Sequence, residues 1–183
     1  MKKCERIAMV VICGVFIWYV LFLIKILFLS RVPIEELFDA QRAFTRSVNL
    51  DPLRTIRGYW GGGTTIFRGF ALGNVVGNVV LFVPLGIYLP LLRKDKRLIP
   101  NWLIAIGASA VAECIQWMLG IGAADVDDII LNGLGALIGI IGYKLLSVIL
   151  RDERKARAVV AVLSVLIGVP VLYYFMFMII LQL

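Results

Sequence analysis

Apolar residues fall in five long runs separated by short polar stretches. A hydrocarbon layer of roughly 30 Å needs about 20 helical residues at about 1.5 Å each. Five runs meet that requirement, at about 7–29, 69–92, 98–119, 126–150 and 158–181. They predict an all-α, polytopic membrane helix bundle, and the length suits one transmembrane domain over 1–183. The first run is interrupted by Lys25, whose long stem can snorkel to the headgroups. Pro84 and Pro170 lie inside the second and fifth runs and predict kinks where a backbone bond is lost. Lys2, Lys3 and Arg6 ahead of the first run give it the outline of a secretory signal. It is too long for such a segment and has no small-x-small cleavage site before Arg31-Val32-Pro33, so it reads as a retained signal-anchor.

The long polar stretch between the first two runs has a pattern of its own. Pro33 can open a helix at its first position. Ile34, Leu37, Phe38, Phe44 and Val48 then share one face, and Glu35, Glu36, Asp39, Arg42 and Arg46 the other. This predicts an extracytoplasmic amphipathic helix over about 33–48, lying in the outer interface or packed over the bundle mouth. Asn49-Leu50-Asp51-Pro52 breaks it, and Gly61-Gly62-Gly63 marks a turn.

Composition agrees: 61% of the residues are hydrophobic and 17% charged, against roughly 45–50% and about 25% in soluble domains. The net charge of +7 does not point to nucleic acid, because the basic residues sit in short clusters between apolar runs. Lys2, Lys3, Arg6, Arg93, Lys94, Lys96, Arg97, Lys144, Arg151, Arg154, Lys155 and Arg157 fall on one side if the runs alternate. They are twelve of the 19 basic residues, against six in the 30–68 stretch and Lys25 at the membrane. That asymmetry places the amino terminus in the cytoplasm and the carboxyl terminus outside. Cys4, Cys13 and Cys114 have no paired spacing, so neither a disulfide framework nor a zinc site is expected. The absence of histidine excludes histidine bases and the Ser-His-Asp triad.

Polar side chains inside membrane helices are costly, so each demands a partner or a function. Asn74 and Asn78 are four apart in the second run; Ser109, Glu113 and Gln116 are spaced four and three in the third. Asp125, Asp128 and Asn132, spaced three and four, share a face where the fourth run opens, while Asp127 points elsewhere and reads as a helix cap. By the alternation of spans, all these groups lie in the outer half of the bilayer. Glu113 is about 9 Å deep by the helical rise. Three stripes at one depth predict a shared cavity open toward the outer leaflet. Arg42, Arg46, Arg54, Arg57 and Arg68 are candidate partners for Glu113. The bland alternative is ordinary interhelical hydrogen bonding. Gly73 with Gly77 and Gly135 with Gly139 form two GxxxG pairs that permit close helix approach.

Several stretches resemble the VanZ-like family of bacterial membrane proteins, associated with resistance to the glycopeptide teicoplanin. They are Arg46-Ser47-Val48-Asn49-Leu50-Asp51-Pro52-Leu53, the run Asn78 to Gly86, Glu113-x-x-Gln116, and Gly120 to Asn132 followed by Gly133 and Gly135. Many members look to carry an arginine and an aromatic residue where Gly122 and Ala124 stand here, so the acids would need a loop arginine. The resemblance implies a VanZ-like transmembrane domain with a cell-envelope role, and it supplies no substrate. With the loop residues Arg46, Asn49 and Asp51 added, the candidate cavity comprises Arg46, Asn49, Asp51, Asn74, Asn78, Ser109, Glu113, Gln116, Asp125, Asp128 and Asn132. The leading expectation is a non-enzymatic protein that binds a membrane lipid, a lipid-linked cell-wall precursor or a lipoglycopeptide, with no cofactor or metal. The alternative is an enzyme acting on an envelope lipid or peptidoglycan precursor, using the Glu113, Asp125 and Asp128 carboxylates for acid-base chemistry or for a cation such as Mg²⁺. A proton-driven transporter is disfavoured, because the inner halves of the runs carry almost no polar residues.

Overall fold

The computed structural model describes residues 3–29, 45–54, 57 and 65–181. Its elements are α1 (Lys3–Ile24) continuing into a π-helical turn (Lys25–Leu29), β1 (Thr45–Asn49), α2 (Thr65–Arg93), α3 (Leu98–Met118), β2 (Ile121–Asp125), α4 (Val126–Leu150) and α5 (Glu153–Leu181). The class is all-α, and among the described residues five helices are long and apolar enough to cross a membrane. Pro84, Pro90 and Pro170 all lie within continuous helices. The fifth helix starts at Glu153, where Asp152 caps it: its carboxylate accepts the Arg154 N–H at 2.8 Å.

One local expectation is corrected. The amphipathic helix predicted over 33–48 lies, for residues 33–44, outside the described residues, but Thr45–Asn49 is strand. It pairs in parallel with β2, Thr45 opposite Ile121 through Asn49 opposite Asp125. Thr45, Ser47, Val48 and Asn49 are mediocre helix formers, and the two β-branched residues suit a pleated ladder. Given a second strand to bond, the extended form wins.

Contacts group the chain into two compact units, one of residues 1–23 with 145–183 and one of 24–144. In the first unit α1 and α5 run side by side in the same direction. Arg154 pairs with Glu5 at 3.2 Å, and Val15 and Trp18 lie against Gly168. Its buried residues include Ile12, Tyr19, Ala156, Val160 and Ala161, while Val162, Leu166 and Ile167 are exposed.

The second unit holds α2, α3 and most of α4. A Cβ on Gly135 would meet the Val79 carbonyl oxygen at 2.1 Å, one on Gly139 the Val83 oxygen at 2.1 Å, and one on Gly86 the Ala136 oxygen at 2.1 Å. Only a hydrogen fits there, so α2 and α4 touch backbone to backbone. Gly73 and Gly77 meet nothing within 4 Å among the described residues, so among these the GxxxG pair on α4 makes the close approach. Trp102 Nε1 donates to the Gly133 carbonyl at 2.9 Å, joining α3 to α4. The α2–α3 turn is held by buried Asn101, which donates to the Asp95 and Arg97 carbonyls, both at 2.7 Å, and accepts from Arg93 at 2.8 Å. Beside it the Arg97 guanidinium binds Asp95 at 2.9 Å and holds that carboxyl down to about 2.

Candidate functional site

The buried face of α3 consists of Asn101, Ala105, Ser109, Ala112, Glu113 and Gln116, whereas Ile99, Leu103, Ile104, Val111 and Ile115 are exposed. In α4 the buried set includes Asp127, Asp128 and Asn132, and Ile130, Leu134, Ile138 and Ile141 are exposed. Amides and carboxylates inside with aliphatic chains outside is the reverse of a water-soluble helix, and it suits a hydrocarbon solvent.

The inward groups meet at the end of the unit that carries the β-sheet. Asn78 of α2 donates through Nδ2 to Asp128 of α4 at 2.5 Å, and more weakly to Asn74 Oδ1, one turn away, at 3.4 Å. One turn deeper on α4, Asn132 donates to Ser109 of α3 at 2.8 Å. Glu113, one turn from Ser109, is only 3% exposed and accepts the Asp125 backbone N–H at 3.0 Å. Gln116 is fully buried and donates to the Leu27 carbonyl at 3.0 Å. That carbonyl lies in the last described turn of its helix.

Above this column the sheet and the start of α4 are tied together by the acidic run. Asp125 ends β2 and caps α4: its Oδ1 accepts the Asp127 N–H at 2.9 Å and Asn49 Nδ2 at 3.0 Å. The cap is therefore Asp125, and Asp127 has a different task. It is buried and accepts the backbone N–H of Leu53, holding the segment after β1. Leu53 itself has a positive φ of 65°, so this contact fixes a backbone that a leucine resists. Asp127 is the residue that spacing alone undervalued. The one available signal was that the 46–53 and 120–128 stretches occur together; they prove to be bonded to one another.

The remaining candidates sit at the exposed rim. Arg46, opposite Gly122 in the ladder, donates to the Met118 carbonyl at 3.1 Å and lies 5.7 Å from the Trp117 ring centroid. Arg46 thus stands on the neighbouring strand at the level of Gly122, with the Met118 carbonyl and the Trp117 ring among its neighbours in space. Asp51 is exposed and pairs with Arg57, and Asn74 is exposed on α2. Arg42 and the Arg68 side chain lie outside the described residues. Among the described residues no group of three or more carboxylates or thiols could hold a metal ion. The arrangement is a buried column of hydrogen-bonded pairs, and two of its atoms, Gln116 Oε1 and Asn132 Oδ1, accept no hydrogen bond among the described residues.

Five apolar helices with polar groups turned inward define a multi-pass helical membrane protein. The chain belongs to the VanZ/LLP1 family, whose model matches residues 16–150. It is 28% identical over 158 residues to Protein VanZ of Enterococcus faecium, covering 86% of this chain and 84% of that protein. No solved structure matches the chain.

Proposed function

We infer that this protein holds a lipid or lipid-linked cell-wall component at the polar column, and thereby contributes to glycopeptide resistance of the teicoplanin type. The observation that carries the reading is the convergence of three helices' polar stripes, through Asn78–Asp128, Asn132–Ser109 and Glu113 with the Asp125 backbone. Such groups are costly in a membrane helix, and their clustering supports a task beyond packing. The basic clusters support an amino terminus in the cytoplasm and a carboxyl terminus outside. The sheet end of the column then faces the outer leaflet, where lipid-linked wall precursors and lipid-bearing glycopeptides meet the membrane.

An enzyme using Glu113, Asp125 and Asp128 is the rival reading. Against it stands the work those carboxylates already do: Asp125 caps α4 and binds Asn49, Asp128 binds Asn78, and Glu113 binds the β2–α4 junction. The test is teicoplanin susceptibility of cells carrying Glu113→Gln, Asp128→Asn or Asn78→Leu at matched membrane levels. Protection should fall several-fold in at least the first two. Full protection in all three would remove the column from the function.

A further inference from the structure

The turn between α2 and α3 carries more positive charge than its own contacts neutralise. Arg93, Lys94, Lys96 and Arg97 fall within five residues, with Asp95 the one acid among them. Asp95 is met by Arg97 at 2.9 Å, with the Arg93 guanidinium 3.9 Å away. Four bases against one acid leave a surplus of three charges. Lys94 is exposed, and the Arg97 side chain is 75% exposed even while it pairs. Asn101 fixes the turn from inside, through the Asp95 and Arg97 carbonyls, so the charges are held in place before a partner arrives.

The backbone adds a second observation. Lys94 directly follows α2 with a φ of 54°, a left-handed position where glycine is the usual helix terminator and a lysine is strained. A basic residue there complements the helix dipole, but Arg93 already does so in the last turn of α2. Charge at a strained position points to a task outside the turn itself. Arg151 repeats this backbone after α4, with a φ of 49°. The α4–α5 turn differs in charge, however: Asp152 and Glu153 lie among its bases, and Glu5 pairs with Arg154 at 3.2 Å.

We propose that the α2–α3 turn docks the headgroup of an anionic phospholipid, with its phosphate against Lys94 and Arg97. Four basic residues in a cluster at the end of a span suit an anionic headgroup. A lipid fits better than a soluble polyanion because Ile99 and Leu103, in the first two turns of α3, are exposed aliphatic side chains on which acyl chains can lie. On the proposed orientation this is the cytoplasmic leaflet. The surface lies at the opposite end of α3 from Glu113 and Gln116, so it is separate from the polar column.

The test uses the full chain in phosphatidylcholine nanodiscs doped with phosphatidylglycerol. Native mass spectrometry after detergent release counts the lipid that stays bound. Wild type should be enriched in phosphatidylglycerol over its share of the disc. Lys94→Gln should lower that enrichment about fivefold, the usual contribution of one basic residue at an anionic surface. Lys155→Gln removes the same charge from the α4–α5 turn and should leave the enrichment nearly unchanged. Lys94→Gly should lose enrichment as Lys94→Gln does, yet resist dodecyl sulfate at least as well as wild type, because glycine suits the left-handed backbone. No enrichment in wild type would overturn the proposal and leave the patch to a soluble acidic partner. Full enrichment in Lys94→Gln would also overturn it, as would equal losses in Lys94→Gln and Lys155→Gln, which report net charge alone. None of these results bears on the polar column, whose own test is susceptibility in cells.

Discussion

Gly139→Ala places a methyl group where the Val83 carbonyl oxygen stands 2.1 Å away, with Gly86 Cα and Ile87 N both at 3.0 Å. Ordinary contact begins near 3.4 Å, and backbone oxygens in a helix cannot rotate aside. The helices must therefore part by on the order of 1 Å along this contact, a gap that forfeits a quarter to a half of each affected dispersion well. Overpacking of this kind costs about 1–3 kcal/mol, against a gain of about 1 kcal/mol from replacing glycine in a helix. The net expectation is a loss of about 1 kcal/mol, roughly fivefold in the unfolding constant. Gly77→Ala makes the control, since nothing among the described residues lies within 4 Å of it; only the propensity gain applies, so it should be neutral or slightly stabilising. Unfolding in mixed micelles by added dodecyl sulfate, followed by far-UV circular dichroism, measures both. If Gly139→Ala proves as stable as Gly77→Ala, the backbone contact between α2 and α4 is wrong.

Three further outcomes follow from named contacts. Asn101→Leu removes three hydrogen bonds from the α2–α3 turn and should cost about 2–4 kcal/mol at roughly 1 kcal/mol or more per bond, with faster proteolysis at 94–97. Asp127→Ala should free the 49–53 segment and raise its protease sensitivity, whereas Asp127→Asn, which keeps an acceptor for the Leu53 N–H, should stay close to wild type. Arg97 holds the Asp95 carboxyl well below its ordinary value of 3.8, to about 2, so this small contribution is fully present above pH 4 and fades as pH falls toward 2. The melting-temperature difference between wild type and Asp95→Asn should accordingly be flat from pH 5 to 8 and shrink below pH 4.

The spans were legible because lipid imposes a length and a composition that few other constraints override. The convergence of stripes was legible for a related reason: Asn78, Glu113, Asp128 and Asn132 recur at helical spacing, and membrane cost leaves them nowhere to face but inward. Which glycines touch was not legible. The GxxxG spacing shows a smooth stripe on a helix without saying whether a neighbour lies on it, and Gly73 and Gly135 look alike in sequence. The strand was hidden because Val48 continued an apolar periodicity begun at Ile34, while its partner, Ala124, is 76 residues on. The use of Gln116 was equally hidden, since its partner is a backbone carbonyl at a helix end, which carries no side-chain signature.

The central claim is that α2, α3 and α4 turn their polar stripes onto one another, and paired cysteines test it most directly. In a background free of native cysteines, Asn78→Cys with Asp128→Cys and Ser109→Cys with Asn132→Cys should each be bridged by mercury(II) or a short bis-thiosulfonate in native membranes. Ser109→Cys with Ile138→Cys, on the exposed face of α4, should not. Bridging in the control pair and none in the two polar pairs would contradict the column and leave the proposed ligand without a site.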